Sequence, residues 1–184
     1  MRKTFTSLII TLSLLCSAGC ATTGKKIVLN DEDFSNKPIS ITNNVPFKEQ
    51  ISQLCGPTAL YMVSKPHKRS LQLDEVTRLT FTPGAQGSFK QDMLSATRRL
   101  GLVPYKIRTL QEIFDELATG TPVLIFHSTK ILWKDLWHYS VLTGYDRKKE
   151  TFSVHIGTYP HREIDITELL RSWELGGSWA FIVT

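Results

Sequence analysis

Gln50 to Ser64 reads QISQLCGPTALYMVS, and it sets a thiol, Cys55, directly ahead of Gly56 and Pro57. Thr58, Ala59, Leu60, Met62 and Val63 then read as the opening turns of a buried helix, so the sulfur stands at a helix start. Proline is tolerated there because its missing N–H would be unpaired in a first turn anyway, and glycine lets backbone pass close to a ligand. The free N–H groups and the positive end of the helix dipole favour thiolate over thiol. Far downstream, one histidine opens a strand-like run, HYSVLTGY from His138 to Tyr145. A cysteine and a histidine supplied by distant elements are the minimum for thiol acyl transfer.

The first residues carry a different message. Arg2 and Lys3 precede an apolar run from Leu8 to Leu15, and Ser17-Ala18-Gly19-Cys20 follows. A basic start, a short apolar stretch and small residues at a cut site describe a secretory leader over residues 1–19, too short for a stable bilayer span. The ending resembles the bacterial lipobox, which implies cleavage before Cys20, lipidation of Cys20 and a membrane anchor. Ala21, rather than Asp, follows the cysteine and points to the periplasmic side of the outer membrane. With Cys16 removed and Cys20 lipidated, Cys55 is left without a disulfide partner in an oxidising compartment. A lone exported thiol is either reactive or inertly buried, and the helix start and the distant histidine favour the first reading.

The 184-residue chain, 41% hydrophobic and 21% charged, has the size of a single domain once the leader is removed. The net charge of +5 includes Arg2 and Lys3, so +3 remains after processing. No Lys/Arg block is interleaved with aromatics, which argues against a nucleic-acid partner. The scattered histidines lack metal-ligand spacing, so neither a metal nor another cofactor is expected.

Residues 20–44 read as a lipidated cysteine and a flexible tether, with a short edge strand at Ile27 to Leu29, and residues 45–184 as the domain. The helix after Cys55 should end before Pro66. Leu73 to Phe81 reads as a second helix, and Ser88 with Gln91 as a capping box opening a third that buries Phe89, Met93, Ala96 and Leu100. Leu102 to Ile107 reads as a short strand. Thr109 with Glu112 forms another capping box before a stripe of Leu110, Ile113, Phe114 and Leu117. Pro122 to His127 is a central strand, residues 128–137 a loop carrying Trp133 and Trp137, and His138 to Tyr145 with Thr151 to Ile156 a hairpin. A strand at Glu163 to Ile166, a helix at Thr167 to Leu175 and a strand at Trp179 to Val183 close the chain. Helices first and an antiparallel sheet later make an α+β fold.

VPFKEQISQLCGPTALYMV with WHYSVLTGYD resembles the papain-like cysteine peptidases of the bacteriocin-processing type, which cut leader peptides after a double glycine. TPGAQGSFKQDMLSATRRLGLVPY and LLRSWELGGSWAFIV further resemble the lipoprotein relatives of that family. The resemblance spans about residues 45 to 184 and implies a peptide substrate, with Cys55 as nucleophile, His138 as general base and Gln50 as oxyanion donor. The residues by themselves leave that donor as either Gln50 or Gln53, acting with the Cys55 N–H. Gln50 stands five residues before Cys55, where papain-type peptidases usually place the glutamine six before.

One member of the pattern is missing. Relatives usually hold the imidazole with an Asp near the end of the strand after the histidine strand, and here that place reads His155-Ile156-Gly157-Thr158. A turn at Asp146 to Lys149 would set His155 opposite Ser140, on the His138 face and diagonal to it. His155, Thr158, a main-chain carbonyl or nothing would then orient His138. The missing carboxylate keeps two further readings open: a non-catalytic peptide-binding lipoprotein with the same fold, and a thiol acyltransferase.

Overall fold

Apolar residues alternate between the two faces of one sheet, and helices cover both. The structure, a computed structural model, describes residue 34, residues 36–131 and residues 134–184. The leader, Cys20, the strand expected at Ile27 to Leu29 and Trp133 lie outside those residues.

Strand β1 (Ser40–Thr42) leads through a 3-10 turn (Ser52–Leu54) into helix α1 (Cys55–Ser64). Helices α2 (Leu73–Thr80) and α3 (Lys90–Arg99), strand β2 (Pro104–Ile107) and helix α4 (Leu110–Ala118) follow. Strands β3 (Val123–Ile131), β4 (Lys134–Asp146), β5 (Thr151–Ile156) and β6 (Tyr159–Asp165) then run in succession before helix α5 (Ile166–Leu175) and strand β7 (Trp179–Val183). The strands form one sheet in the order β2-β7-β3-β4-β5-β6, with β1 on β4, and every pairing is antiparallel. The fold is α+β.

Leu124, Val141 and Phe181 point from the sheet toward α1, α2 and α3, where they meet Leu60, Met62, Val76 and Met93. Their neighbours Ile125, Leu142 and Ile182 point the other way, toward Ile113, Phe114 and Leu117 of α4 and Leu169, Leu170 and Trp173 of α5. Burial on both faces explains why Pro122 to His127 shows no polar alternation. Each such aliphatic or aromatic side chain contributes about 1.5–3 kcal/mol on removal from water. The Thr109–Glu112 capping box is present, and Gly101 (φ 79°) and Gly120 (φ 95°) take the left-handed conformation just past α3 and α4.

Four expectations need correction. The expected Ser88–Gln91 box does not form: α3 begins at Lys90 after Phe89, whose ring is exposed, and no side chain caps it. Residues 128–131 and 134–137 are strand rather than loop, because β3 and β4 pair from Val123↔Leu142 out to Ile131↔Lys134. The segment expected as a flexible tether is, from Phe34 on, part of the domain. Phe34 is buried edge-on against Phe114 with ring centroids 4.7 Å apart, Arg147 lies over its outer face, and Asn43 Nδ2 donates to Leu117 O at 2.9 Å. The polar composition of this stretch hid one buried aromatic anchor.

The fourth correction concerns register. The turn falls at residues 147–150 rather than at Asp146 to Lys149, so that Asp146 pairs with Thr151, and a bulge at Thr143 then shifts the β4–β5 ladder so that Val141 pairs with His155. Because facing residues share a side of the sheet, His155 lies on the face opposite that of His138. Its Nε2–H donates to Val45 O at 3.1 Å, and its Nδ1 accepts from the His161 N–H at 3.1 Å. His155 therefore does not orient His138.

Where β3 stops pairing with β4, β1 takes over the same edge, through Thr42↔Gly144 and Ile41↔Tyr145. A Cβ on Gly144 would fall on the Ile41 carbonyl and lie 2.8 Å from Thr42 Cα. Gly144→Ala is expected to destabilise the domain by about 1–3 kcal/mol, as overpacking does. Thermal unfolding should show the melting temperature falling by about 2–4 °C per kcal/mol. An unchanged melting temperature would mean that β1 is not held against β4.

Candidate active site

Cys55 is the first residue of α1, delivered by the 3-10 turn that the Leu54 N–H closes onto Ile51 O at 3.1 Å. Gly56 is required there: a Cβ would lie 2.7 Å from Ser88 Oγ, so the loop before α3 rests directly on the helix start. Tyr139 Oη holds the same loop by donating to Ser88 O at 3.0 Å. His138 stands on β4, paired across the ladder with His127 of β3. Cys55 and His138 line one cleft of about 700 Å³, together with Gln53, Phe89, Trp137 and Tyr159. Trp137 is half-exposed and stacks on Phe126 at 5.6 Å between centroids, so the wall beside His138 is aromatic.

The third sequence-predicted residue, Gln50, lies buried between β4 and β5 where the two strands diverge. Its main-chain N–H donates to Gly157 O at 2.9 Å. Its side-chain Oε1 accepts from the Gly157 N–H at 2.8 Å, and its Nε2 donates to Tyr139 O at 2.9 Å and to Cys55 O at 3.2 Å. The His138 ring meets the same Oε1 through Nε2 at 2.8 Å. The structure thus brings Cys55, His138 and Gln50 together, with the glutamine amide in contact with both of the others. Thr158, the other side chain considered as an orienter, makes no bond to His138.

Burial sets the resting protonation states. It pushes the Cys55 thiol above its ordinary value, although backbone N–H groups of Tyr139, Gly56 and Cys55 beside the sulfur pull the other way. Burial also lowers His138 to about 4. Near neutral pH burial therefore favours a neutral thiol and a neutral imidazole.

His127 was not legible as part of this neighbourhood. Its Nε2 lies 2.9 Å from Ser140 Oγ and its Nδ1 3.3 Å from Ser172 Oγ, which ties β3 to β4 and α5 behind His138. Burial first, and the neighbouring His138 second, lower it to about 3. The cross-strand register alone could have revealed it, because His127 and His138 face each other only once β3 and β4 are paired. Among the described residues, no group of three or more His, Cys, Asp or Glu is placed to hold a metal ion, and no helix is long and apolar enough to cross a membrane.

The profile of the Peptidase_C39 like family matches residues 42–178. The chain belongs to this family. A putative C39-like peptidase from Bacillus anthracis superposes with a TM-score of 0.61 at 17% identity, covering 77% of this chain and 94% of that one. A double glycine motif protease from an AMS/PCAT transporter, solved with its leader peptide, gives 0.57 at 25% identity over 77% and 92%. The peptidase domain of Streptococcus ComA, a bi-functional ABC transporter, gives 0.58 at 21% identity over 74% and 95%. No curated protein shows a significant match. The match runs from the end of β1 to just before β7 and takes in the cleft between α1 and the β3–β4 hairpin.

The lowered His138 value has a measurable sign. The fold favours the neutral ring, so this contribution to stability is complete above the ordinary pKa of 6.5 and is lost as pH falls toward about 4. An NMR titration of the His138 ring protons should show a midpoint near 4 and no charging between pH 5 and 7. A midpoint at 6.5 would show that the ring is open to water.

Proposed function

We propose that this C39-like chain is a thiol-dependent peptide hydrolase, held by lipid on Cys20 at the periplasmic face of the outer membrane. The observation that carries the reading is the shared cleft. The one cysteine among the described residues, at the start of α1, and the histidine of the β3–β4 hairpin open into the same aromatic-walled groove. His138 takes the thiol proton as Cys55 attacks a peptide carbonyl, then returns it to the leaving amine, and water resolves the thioester. The leader peptide bound to the AMS/PCAT protease supports an extended peptide as the substrate class. Hydrogen-bond donors at the cleft steady the developing oxyanion, each worth on the order of 3 kcal/mol.

A second reading, a peptide-binding lipoprotein without turnover, is favoured by one specific observation. The His138 ring meets an amide rather than a carboxylate, while burial keeps the thiol protonated.

Iodoacetamide labelling of Cys55 against pH separates the two. For the hydrolase, His138→Ala should slow labelling at pH 7 by about 10²-fold, the lower end of what a positioned base supplies. Equal rates in parent and variant would leave the binding module. The anchor is tested by palmitate incorporation in cells, which Cys20→Ala should abolish; a variant that still carries lipid would refute it.

A further inference from the structure

The side-chain amide of Gln50 can be oriented without reference to His138. Tyr139 O and Cys55 O are both acceptors, so the atom facing them is the NH₂ group. The Gly157 N–H is a donor, so the atom facing it is the carbonyl oxygen. Backbone groups alone thus fix which way the amide points. The same oxygen faces His138 Nε2 at 2.8 Å, and an acceptor there requires that Nε2 carry the proton. In the neutral ring the unprotonated nitrogen is then Nδ1, the one left to accept a proton from a thiol.

Both N–H bonds of the amide are spent on main-chain carbonyls, and its oxygen already accepts twice. Nothing remains to donate to an oxyanion unless one of these bonds breaks. Gln53, one helical turn nearer to Cys55, is different: it is exposed, lines the cleft, and its side chain makes no hydrogen bond among the described residues.

We propose that Gln50 is the positioning residue for His138, doing through its amide oxygen what a carboxylate does elsewhere, and that Gln53 donates to the oxyanion. This rests on the hydrolase reading for its catalytic consequence, while the orientation of the ring stands on geometry alone. Gln50 holds the proton on Nε2, and Nδ1 takes the proton of Cys55 Sγ as the S–C bond to the substrate carbonyl forms. The proton then passes to the leaving nitrogen as the C–N bond breaks, and the ring returns to the Nε2–H form.

Three measurements on the full-length protein test the assignment. In protein labelled with ¹⁵N-histidine, ring correlations at pH 7 should show His138 as the Nε2–H tautomer, its signals being assigned through His138→Ala. Gln50→Met, close in volume but without the four polar contacts, should lose that pure tautomer. It should slow both iodoacetamide alkylation and acylation by p-nitrophenyl acetate by a similar factor, on the order of 10²-fold. Alkylation forms no oxyanion and acylation does, so Gln53→Ala should lower the ratio of acylation to alkylation by about 10²-fold.

A parent His138 in the Nδ1–H form would overturn the proposal, whether or not Gln50→Met folds. So would a Gln50→Met that slows acylation while alkylating at the parent rate, because that pattern makes Gln50 the oxyanion donor. An unchanged ratio in Gln53→Ala would remove Gln53 from its role. If His138→Ala alkylates as fast as the parent, the hydrolase reading fails by itself, and the tautomer still decides the role of Gln50.

Discussion

Beyond the Val141↔His155 pair, β4 and β5 separate, and the backbone groups of Tyr139 and Gly157 face a gap too wide for a ladder bond. Left unpaired and buried, each such group would cost about 1–3 kcal/mol. Gln50 fills the gap as a substitute for strand pairing, satisfying Gly157 on both its N–H and its C=O and Tyr139 on its C=O. The rest of the site hangs on this insertion. The chain that follows Gln50 has only the Ser52–Leu54 turn before Cys55, so the sulfur is placed by the same side chain that meets His138. One amide sets the separation of the strands, the entry of α1 and the attitude of the imidazole.

The electrostatics follow from the same burial. A sheet covered on both faces gives His127, His138 and His155 little water, and all three are held toward the neutral form. Cys55 is likewise held toward the thiol.

Much of this was readable from local pattern. The stripe Leu110, Ile113, Phe114 and Leu117 with its Thr109 cap, the helix behind Cys55 and the β7 strand at Trp179–Val183 all follow from periodicity and capping chemistry. Cys55 was legible as a thiol at the start of a helix, and His138 as an imidazole on a strand-like run, although the strand begins four residues earlier than the alternation suggested. What failed depended on single-residue offsets. The bulge at Thr143, where the hydroxyl meets Ser153 and His161, has no signature in the alternation of β4, and it moved His155 to the wrong face of the sheet. Gln50 was noticed for its position ahead of the cysteine, but its partners lie 89 and 107 residues away and could not be seen without the sheet. Phe34 escaped notice because one aromatic in a polar stretch carries no period.

The contact between Gly56 and Ser88 makes the groove asymmetric. On the Phe89 side the lining loop is seated on the helix that Cys55 opens and tied to β4 by Tyr139. Across the groove, Trp137 and Tyr159 present their rings to solvent, Trp137 with one face stacked on Phe126 and two residues along β4 from Tyr139 itself. The two sides of the groove are therefore joined through β4, whose residues 137 to 139 supply in turn an aromatic wall, the imidazole and the tie to the opposite loop.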